Sequence, residues 1–276
     1  MGMTAEALHE MFGTPRPVIG MVHFPPLPCT ALYDREGGVA KLRDVVKRDV
    51  EALVDAGFDA VMFCNEGDRP YALKAPLEAV SAMTAVIAQV APQEIPFGVD
   101  YLWDPLGALA VAHATGAAFV REVFTGTYES DMGLWSPDPS FILRYRSELG
   151  AENVRLFMNV TPEFAASLGS RPVGVRAKSA VVNGLADVIL IAGALAGSEP
   201  TLEDLDEAKA ALGDAAPVFV NTGVTVNTVA EFLTRFDGVI VGTALKYESC
   251  TWNPVDPEQA RLFMETARAG RSDVAA

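Results

Sequence analysis

The chain has 276 residues, half of them hydrophobic, and its 36 acidic side chains against 21 basic ones give a formal net charge of −15. This acidic balance argues against nucleic acid or an anionic membrane surface as a partner, because both are bound by clustered Lys and Arg. A small anionic molecule stays open as a ligand, since a few local donors can override the net charge. The length suits one barrel of about 250 residues.

The cysteines and the apolar segments bear on the cellular compartment. Cys29, Cys64 and Cys250 are widely spaced and odd in number, which favours a reducing cytoplasm over a disulfide framework. Residues 1–17 contain no long apolar segment of the signal-peptide kind, and no uncharged apolar run reaches the roughly 18 residues of a spanning helix. The sequence predicts a cytoplasmic protein without a membrane span and leaves a homo-oligomer open.

Eight short apolar segments are each followed by polar or Gly/Pro residues and then by a helical pattern. Most are continuously apolar, which is typical of parallel strands buried on both faces. The predicted strands are Val18–Phe24, Ala60–Cys64, Phe97–Leu102, Ala118–Phe124, Val154–Val160, Asp187–Ala192, Pro217–Val220 and Gly238–Val241. The predicted helices are Val39–Ala56, Pro76–Val90, Pro105–Thr115, Phe141–Leu149, Pro172–Leu185, Leu202–Leu212, Val226–Phe236 and Pro257–Ala269.

Eight strand–helix alternations without a low-complexity linker favour an α/β fold, a single (β/α)₈ TIM barrel with eight parallel strands. The domain is expected to span residues 1–276, with the barrel over about 17–270 and short extensions at both ends. A doubly wound sheet is the alternative, weakened because no G-x-G-x-x-G follows the first strand. Long connections at 25–38, 65–75 and 125–140 follow strands, where barrels carry functional loops and lids.

Three ionisable residues at predicted strand ends could carry acid/base chemistry. His23 ends the first strand and could exchange a proton near neutral pH, or simply donate to a backbone carbonyl. Asp68, in the segment Asn65–Arg69, could orient a polyol, hold a divalent cation, transfer a proton or pair with the neighbouring arginine. Asp100 lies inside an apolar strand, where an ionised group is costly unless paired or functional, whereas Asp104 is a natural helix N-cap.

Polar residues in the fourth and fifth strands extend this set. Arg121 and Glu122 are adjacent, so only one of them can face the barrel axis. Either Arg121 binds an anion or a carboxylate there, or Glu122 acts inside, and a structural ion pair with another strand is the alternative. Asn159 closes the fifth strand and could position a substrate hydroxyl.

Glycine turns close the last three strands. Gly193, the Thr222-Gly223 pair and the Gly242-Thr243 pair stand where many barrels build a phosphate site, chiefly from the loops after strands 7 and 8. Glycine lets the backbone approach an oxyanion, and the N–H groups at a helix N-terminus point towards it. These five residues are the predicted phosphate-binding set.

No metal or cofactor is implied by residue spacing. His9, His23 and His113 are far apart, no His/Cys spacing suggests zinc, and Mg²⁺ held by carboxylates and substrate oxygens is an option without support. No lysine ends a strand where a Schiff base is expected. Lys246 is the nearest, and contact with phosphate or solvent is its predicted role, so acid/base chemistry is preferred.

Several segments together resemble the BtpA/SgcQ family, in chain order over roughly residues 17–265. The matching segments are V-I-G-M-V-H-F-P-P-L-P at 18–28, N-x-G-D at 65–68, F-V-R…T-G-T-Y-x-x-D-x-G at 119–133, R-Y-R-x-x-L-G-A at 144–151, A-D-V-I-L-I-A-G-A-L-A-G at 186–197, T-G-V-T at 222–225, D-G-V-I-V-G-T-A-L-K at 237–246 and N-P-V-D-P-E at 253–258. The resemblance implies a TIM-type barrel. It also implies relatives linked to photosystem I accumulation and others encoded beside sugar-transport and sugar-metabolism genes.

The chain departs from the family pattern at several strand ends. Residues 159–162 lack the usual Lys-His pair, and residues 221–224 read Asn-Thr-Gly-Val where Gly-Ser-Gly-Val is usual. The chain is therefore expected to be a divergent member. One hypothesis is an enzyme that acts by acid/base chemistry on a small phosphorylated metabolite, as an isomerase, a lyase or a glycosidic-bond-cleaving enzyme. The other is a non-catalytic assembly or regulatory factor of the photosystem I biogenesis type.

Overall fold

The computed structural model describes the backbone of residues 2–275 and the side chains of residues 2–271. Its elements in chain order are α1 (Ala5–Phe12), β1 (Val18–His23), α2 (Gly38–Ala56), β2 (Ala60–Cys64), α3 (Leu77–Val90), β3 (Phe97–Asp100), α4 (Pro105–Thr115), β4 (Phe119–Glu122), β5 (Tyr128–Ser130), β6 (Gly133–Trp135), α5 (Pro139–Glu148), β7 (Arg155–Asn159), β8 (Ala165–Ser167), α6 (Val173–Val182), β9 (Val188–Ile191), α7 (Leu202–Leu212), β10 (Val218–Val220), α8 (Val229–Arg235), β11 (Gly238–Val241) and α9 (Pro257–Ala275).

Eight parallel strands close into a barrel in the order β1-β2-β3-β4-β7-β9-β10-β11. The last strand returns to the first, with Val239 of β11 opposite Val18 of β1. Each predicted strand corresponds to one barrel strand, and a helix follows each of them, so the predicted α/β barrel is confirmed. All carboxyl ends of the strands therefore lie at one end of the barrel, where the loops that follow them meet.

Local sequence signals account for where the helices begin. Asp104 caps α4 as predicted, because its Oδ1 accepts the N–H groups of Leu106 and Gly107. Helix α5 begins two residues before the predicted Phe141, because Asp138 caps it from an earlier position. Helix α8 begins at Val229 rather than Val226, since the preceding threonines form a hydrogen-bonded turn.

The strands separate two apolar layers because successive side chains point to opposite faces. Outward side chains pack against the surrounding helices in the main core. Inward side chains fill the barrel, and the stacked rings of Phe119 and Phe157, with centroids 4.6 Å apart, lie near its amino end. The barrel is therefore packed solid below the carboxyl end.

Helix α1 closes the amino end of the barrel, and sequence patterns did not predict it. Thr4 caps the helix through its hydroxyl, which accepts the N–H of Ala7. Leu8 and Phe12 are buried, and the Phe12 ring lies 5.9 Å from that of Phe119. The helix is thus held by contacts with the barrel floor, and the Thr4 cap, the Leu8–Phe12 spacing and Gly13 at its end were the local signals for it.

A small antiparallel sheet stands beside the carboxyl end of the barrel. Strands β5 and β6 form a hairpin within the predicted lid, residues 125–140, and β8 from the loop after β7 pairs with β5. The sheet packs on the turn after β3, where the rings of Trp103 and Trp135 meet edge to face at 4.9 Å. In the described part of the chain no helix has an apolar stretch long enough to cross a bilayer.

Candidate functional site

A ring of polar side chains lies inside the barrel at its carboxyl end. Side chains point inward at every second position along each strand. On five strands the last inward residue is polar, and on a sixth strand, β10, a polar residue follows the strand directly. The ring residues are His23, Cys64, Asp100, Arg121, Asn159 and Asn221. Four of these had been predicted as site residues from separate strand ends, and the barrel brings them together.

Arg121 is the centre of a buried charge cluster. Its Nη1 lies 3.1 Å from Asp100 Oδ2, and its Nη2 lies 2.8 Å from Glu163 Oε1. The side-chain amide of Asn159 donates to the other Glu163 oxygen at 3.1 Å. The inward residue of the Arg121–Glu122 pair is therefore the arginine, and the interior ion pair with another strand, which the sequence left open, is present.

Asp100 is the least satisfied member of this cluster. It is 1% exposed, and neither carboxylate oxygen has a donor in hydrogen-bonding geometry despite the ion pair with Arg121. Burial raises the pKa of Asp100 to about 7; the Arg121 charge opposes this rise, and the carboxylates of Glu163 and Glu66 add to it. A carboxyl group that titrates near neutral pH can both give and take a proton.

Glu66, Tyr71 and Cys64 lie beside the cluster. The Tyr71 hydroxyl donates to Glu66 Oε1 at 3.1 Å, and the Cys64 thiol lies 3.7 Å from Glu66 Oε2. Burial raises the pKa of Glu66, and the Glu163 carboxylate raises it further. Burial and then the charge of Asp100 raise the pKa of Cys64 well above its usual range. Because the Cys64 thiol holds its proton at neutral pH whereas Asp100 titrates there, the carboxyl group is the better proton carrier here.

Glu122 lies on the opposite face of β4 from Arg121. Its carboxylate accepts the backbone N–H groups of Trp103 and Val123. Burial raises the pKa of Glu122 well above its usual range, and the charge of Asp100 adds to the rise. Since Trp103 has a left-handed φ of 71°, these contacts assign Glu122 to holding the turn after β3.

Asp68 ties together three turns at the carboxyl end of the barrel. Its Oδ1 accepts the N–H of Leu27 at 2.7 Å, and its Oδ2 accepts the side-chain amide of Asn65 at 3.0 Å. Asn65 Oδ1 in turn accepts the N–H of Leu102 at 2.7 Å. Burial raises the pKa of Asp68 to about 6, and these hydrogen bonds oppose the rise. The side chain predicted as catalytic is thus engaged by the turns after β1, β2 and β3.

His23 lies beside a cavity of about 100 Å³ at the end of β1. Its Nδ1 lies 2.9 Å from the carbonyl oxygen of Thr251. A carbonyl can only accept, so Nδ1 carries the proton and Nε2 is left as an acceptor. Burial and then the charge of Lys246 lower the pKa of His23 well below its usual range. A Cβ added at Gly242 would lie 3.1 Å from Nε2, so that position leaves room for the ring.

Lys246 is buried, so the solvent contact predicted for it is wrong. Its Nζ lies 3.2 Å from Asp49 Oδ2 and donates to the Met21 carbonyl at 3.2 Å. Asp49 also accepts the N–H of Val255 at 2.9 Å. Burial lowers the pKa of Lys246, and the Asp49 charge opposes that effect. The ion pair joins α2 to β1 and to the segment after β11.

Part of the predicted phosphate-binding set is used for packing within the protein. The Gly193 N–H donates to the Thr222 hydroxyl at 2.7 Å, and that hydroxyl donates to the Ser198 carbonyl at 2.7 Å. A Cβ at Gly193 would lie 2.3 Å from Ser198 O, and one at Gly223 would lie 2.2 Å from Glu199 N. Both glycines therefore admit the close approach of the segment after β9.

Gly242 and Thr243 stand at the other end of that set, next to the open part of the site. Thr243 Oγ1 lies 2.9 Å from Thr251 Oγ1, so the two hydroxyls are hydrogen-bonded. Thr243 begins a single 3₁₀ turn, Thr243–Leu245, rather than a long helix. Hydroxyl groups are thus the polar feature here, in place of the helix N-terminus that the sequence predicted.

A cleft of about 400 Å³ opens at the mouth of the barrel between the loops after β2, β7, β9 and β11 and the β5–β6 hairpin. Its lining is mainly apolar and aromatic, with Tyr71, Met132, Phe164, Leu195 and Trp252. A narrower cavity shares Tyr71 and Phe164 with the cleft and reaches Glu66 and Glu163. This size and mixed lining are typical of sites for small organic molecules.

Comparison with known proteins identifies the family. The BtpA family model matches residues 14–269. The chain belongs to the BtpA family. The sgc region protein SgcQ of Escherichia coli (strain K12) is 38% identical over 259 residues, which cover 94% of this chain and 96% of the relative. The photosystem I biogenesis protein BtpA of Synechocystis sp. is 32% identical over 267 residues, covering 95% and 92% of the two chains.

Solved structures share the barrel of this BtpA-family protein at low sequence identity. Phosphoribosyl anthranilate isomerase from Thermus thermophilus has a TM-score of 0.57 at 11% identity, covering 92% of this chain and 98% of that chain. A structure described as native KDPGal has a TM-score of 0.54 at 16% identity, covering 94% and 98%. These likenesses agree with the TIM-barrel fold and say nothing of the substrate.

Several residues of this BtpA-family site had not been selected from the sequence, Asn221, Asp49 and Glu163 among them. Asn221 is buried, and both atoms of its amide lack a hydrogen-bond partner; its position after an apolar run was the available signal. Asp49 interrupts the apolar stripe of α2, which helical spacing could have revealed. Glu163 lies in a loop and had no signal. Among the side chains of residues 2–271 no group of three or more His, Cys, Asp or Glu is arranged to hold a metal ion.

Proposed function

We propose that the protein is a cytoplasmic enzyme that acts by acid/base chemistry on a small phosphorylated metabolite, a sugar phosphate or a nucleotide-derived sugar. Asp100 carries the proposal, as a buried carboxyl group that accepts no hydrogen bond from an N–H or hydroxyl group and whose pKa is about 7. A buried carboxylate without donors is costly to the fold, and groups with such perturbed pKa values concentrate at functional sites. The three free cysteines support the assignment to the cytoplasm.

The site holds two proton-transfer groups in different environments. His23 is neutral and offers Nε2, because its Nδ1 is bound to a backbone carbonyl. Asp100 titrates near neutral pH beside Arg121, whose charge would stabilise negative charge that develops on a substrate. Such divergent environments are typical of separate acid and base roles. His23, Asp100 and Arg121 together could catalyse isomerisation, lyase chemistry or glycosidic cleavage.

The lysine arrangement supports acid/base chemistry over an imine mechanism. Lys246 is bound by Asp49 and the Met21 carbonyl, between β1 and α2, and is fully enclosed. An imine-forming lysine must reach the substrate carbonyl as a free amine. A phosphate position near the end of the last strand is supported by Gly242, which lies beside His23, and by Thr243, whose hydroxyl is hydrogen-bonded to Thr251 of the cleft.

A ligand screen followed by one substitution tests the proposal. Phosphorylated metabolites are screened for a raised unfolding midpoint, since a ligand that binds only the folded state stabilises it. Turnover of the stabilising ligand is then measured in Asp100→Asn, which should bind it and lose about 10²–10⁴-fold in rate. Asp44→Asn, an exposed aspartate of α2, is the control and should keep the full rate.

Two results would contradict the proposal. Full turnover in Asp100→Asn would remove the acid/base role, and the absence of any stabilising phosphorylated metabolite would remove the substrate class. The second result would favour a non-catalytic role, in line with the relative described as a photosystem I biogenesis protein.

A further inference from the structure

We propose that Arg69, stacked on Trp252, binds the anionic group of the ligand at the mouth of the barrel, and that this ligand is a phosphate ester whose organic part has a flat apolar face. The inference rests on the proposed function in taking the cleft as the substrate site. It moves the main anion contact from the glycine turns to a side chain that follows β2.

Arg69 is a partly buried cation without a polar partner. Its Nε is buried and lacks a hydrogen-bond partner, and no ion pair or side-chain hydrogen bond joins its guanidinium to any described residue. The adjacent Asp68 does not neutralise it, because the Asp68 oxygens are held by Leu27 and Asn65. A guanidinium has five N–H donors, and burying the one on Nε of Arg69 without a partner is unfavourable. A phosphate matches the planar fork with two parallel hydrogen bonds.

Trp252 holds the guanidinium in one orientation. The Arg69 Cζ lies 3.6 Å from the centroid of the Trp252 ring, which is the geometry of a cation–π contact. Stacking on the ring face leaves the edge of the guanidinium, where the N–H groups project, free for a ligand. A cation oriented in advance loses less conformational freedom on binding.

Arg69 stands between the two cavities of the site. Arg69 and Trp252 line both the cleft of about 400 Å³ and the cavity of about 100 Å³ that contains His23. Thr251 lines the cleft, and its carbonyl oxygen accepts the Nδ1–H of His23. An anion bound by Arg69 would therefore keep the atoms attached to it close to His23.

The lining of the cleft indicates the rest of the ligand. Tyr71, Phe164 and Trp252 provide aromatic faces, and Met132 and Leu195 add aliphatic surface. Rings of this kind stack on flat apolar groups. The net charge of −15 repels any anion at long range, and contact between these rings and an organic part adds binding that inorganic phosphate cannot obtain.

Calorimetric titration with phenyl phosphate tests this inference without any turnover. The folded wild-type protein should bind phenyl phosphate at millimolar concentrations or below, more tightly than inorganic phosphate or phenol. Arg69→Gln should weaken binding by about tenfold or more, because the charge-assisted hydrogen bonds are lost. Arg69→Lys should recover part of the affinity, since the charge stays while the fork is lost. Trp252→Leu should also weaken binding.

A matched control separates the site from a general charge effect. Arg235 also stacks on an aromatic ring, that of Phe236, but it is paired with Asp206 and Glu231 away from the cleft. Arg235→Gln removes the same charge and should leave the affinity unchanged. Circular dichroism checks that each variant is folded.

Three outcomes would overturn the inference: wild-type protein that does not bind phenyl phosphate, Arg69→Gln with unchanged affinity, or equal losses in the Arg69 and Arg235 variants. A different result would contradict the proposed function while leaving this inference intact. Binding that depends on Arg69, together with unchanged turnover in Asp100→Asn, would leave the anion site in place and remove the acid/base role.

Discussion

Asp100→Asn should make the protein more stable at neutral and alkaline pH while it removes the proposed catalysis. The pKa of Asp100 is raised by burial to about 7, against about 4 for a solvated aspartate. This difference corresponds to about 4 kcal/mol, since one pKa unit is worth about 1.4 kcal/mol. The folded state holds the Asp100 proton more tightly than the unfolded chain, so the contribution of Asp100 to stability is fully present below about pH 4 and is lost as the pH rises through about 7. Asparagine stays neutral and avoids this loss.

The surroundings of Asp100 favour a gain in stability, rather than a loss, when Asp100 is replaced by asparagine. The side chain is buried, so solvent screens little of the effect, and Arg121 keeps its ion pair with Glu163 at 2.8 Å in the variant. Asp68→Asn is the matched control. Both Asp68 oxygens accept hydrogen bonds, so the new NH₂ group would face a donor, either the N–H of Leu27 or the amide of Asn65. The loss of that hydrogen bond should offset much of the gain that the raised pKa of Asp68 would otherwise give, so Asp68→Asn should gain less stability above neutral pH than Asp100→Asn.

Urea unfolding followed by circular dichroism at about pH 4, 7 and 9 measures these differences. The stability of Asp100→Asn relative to wild type should rise from near zero at the lowest pH to several kcal/mol above neutral pH. A difference that does not change with pH would refute the assigned environment of Asp100, and so would destabilisation by Asp100→Asn above pH 7.

Three further substitutions test contacts that hold the site and the barrel. Lys246→Met leaves Asp49 as a buried carboxylate without its cation and should lower the free energy of unfolding by about 3–5 kcal/mol. Adding Asp49→Leu should recover part of this, and simply additive losses would contradict the ion pair. Gly242→Ala brings a Cβ within 3.0 Å of His23 Cε1 and should reduce turnover in a folded protein, whereas full activity would contradict that ring position. Phe12→Ala should lower stability by about 3–5 kcal/mol in urea unfolding, and a change below about 1 kcal/mol would show that α1 is not docked.

Local patterns were sufficient for the barrel because a parallel strand and an amphipathic helix are each recognisable within a short segment. Apolar runs marked the barrel strands, and N-caps such as Asp104 marked helix starts. The hairpin β5–β6 was not predicted, because β8, which completes its sheet, comes from another loop. Helix α1 was not predicted although Thr4, the Leu8–Phe12 spacing and Gly13 mark it locally, and only its docking on the barrel floor needed the structure.

The polar ring was also partly determined by sequence. His23 and Asn159 were selected because they end apolar runs, whereas Asp100 and Arg121 were selected because a charged side chain inside an apolar run is costly unless it is paired or functional. Which of two adjacent residues faces inward depends on strand register, so the roles of Arg121 and Glu122 needed the structure.

Tertiary structure alone decided the partners of these residues. Glu163 meets Arg121 across 42 positions, and Lys246 meets Asp49 across 197. Gly193 and Gly223 read as phosphate turns in sequence, yet chain packing occupies the space beside them. Arg69 could have paired with its neighbour Asp68. The Asp68 oxygens instead accept hydrogen bonds from neighbouring turns, and the Arg69 guanidinium stacks on Trp252. The sequence determines which polar groups lie at the end of each barrel strand. The contacts between distant loops determine which of these groups are paired within the protein and which can bind a ligand.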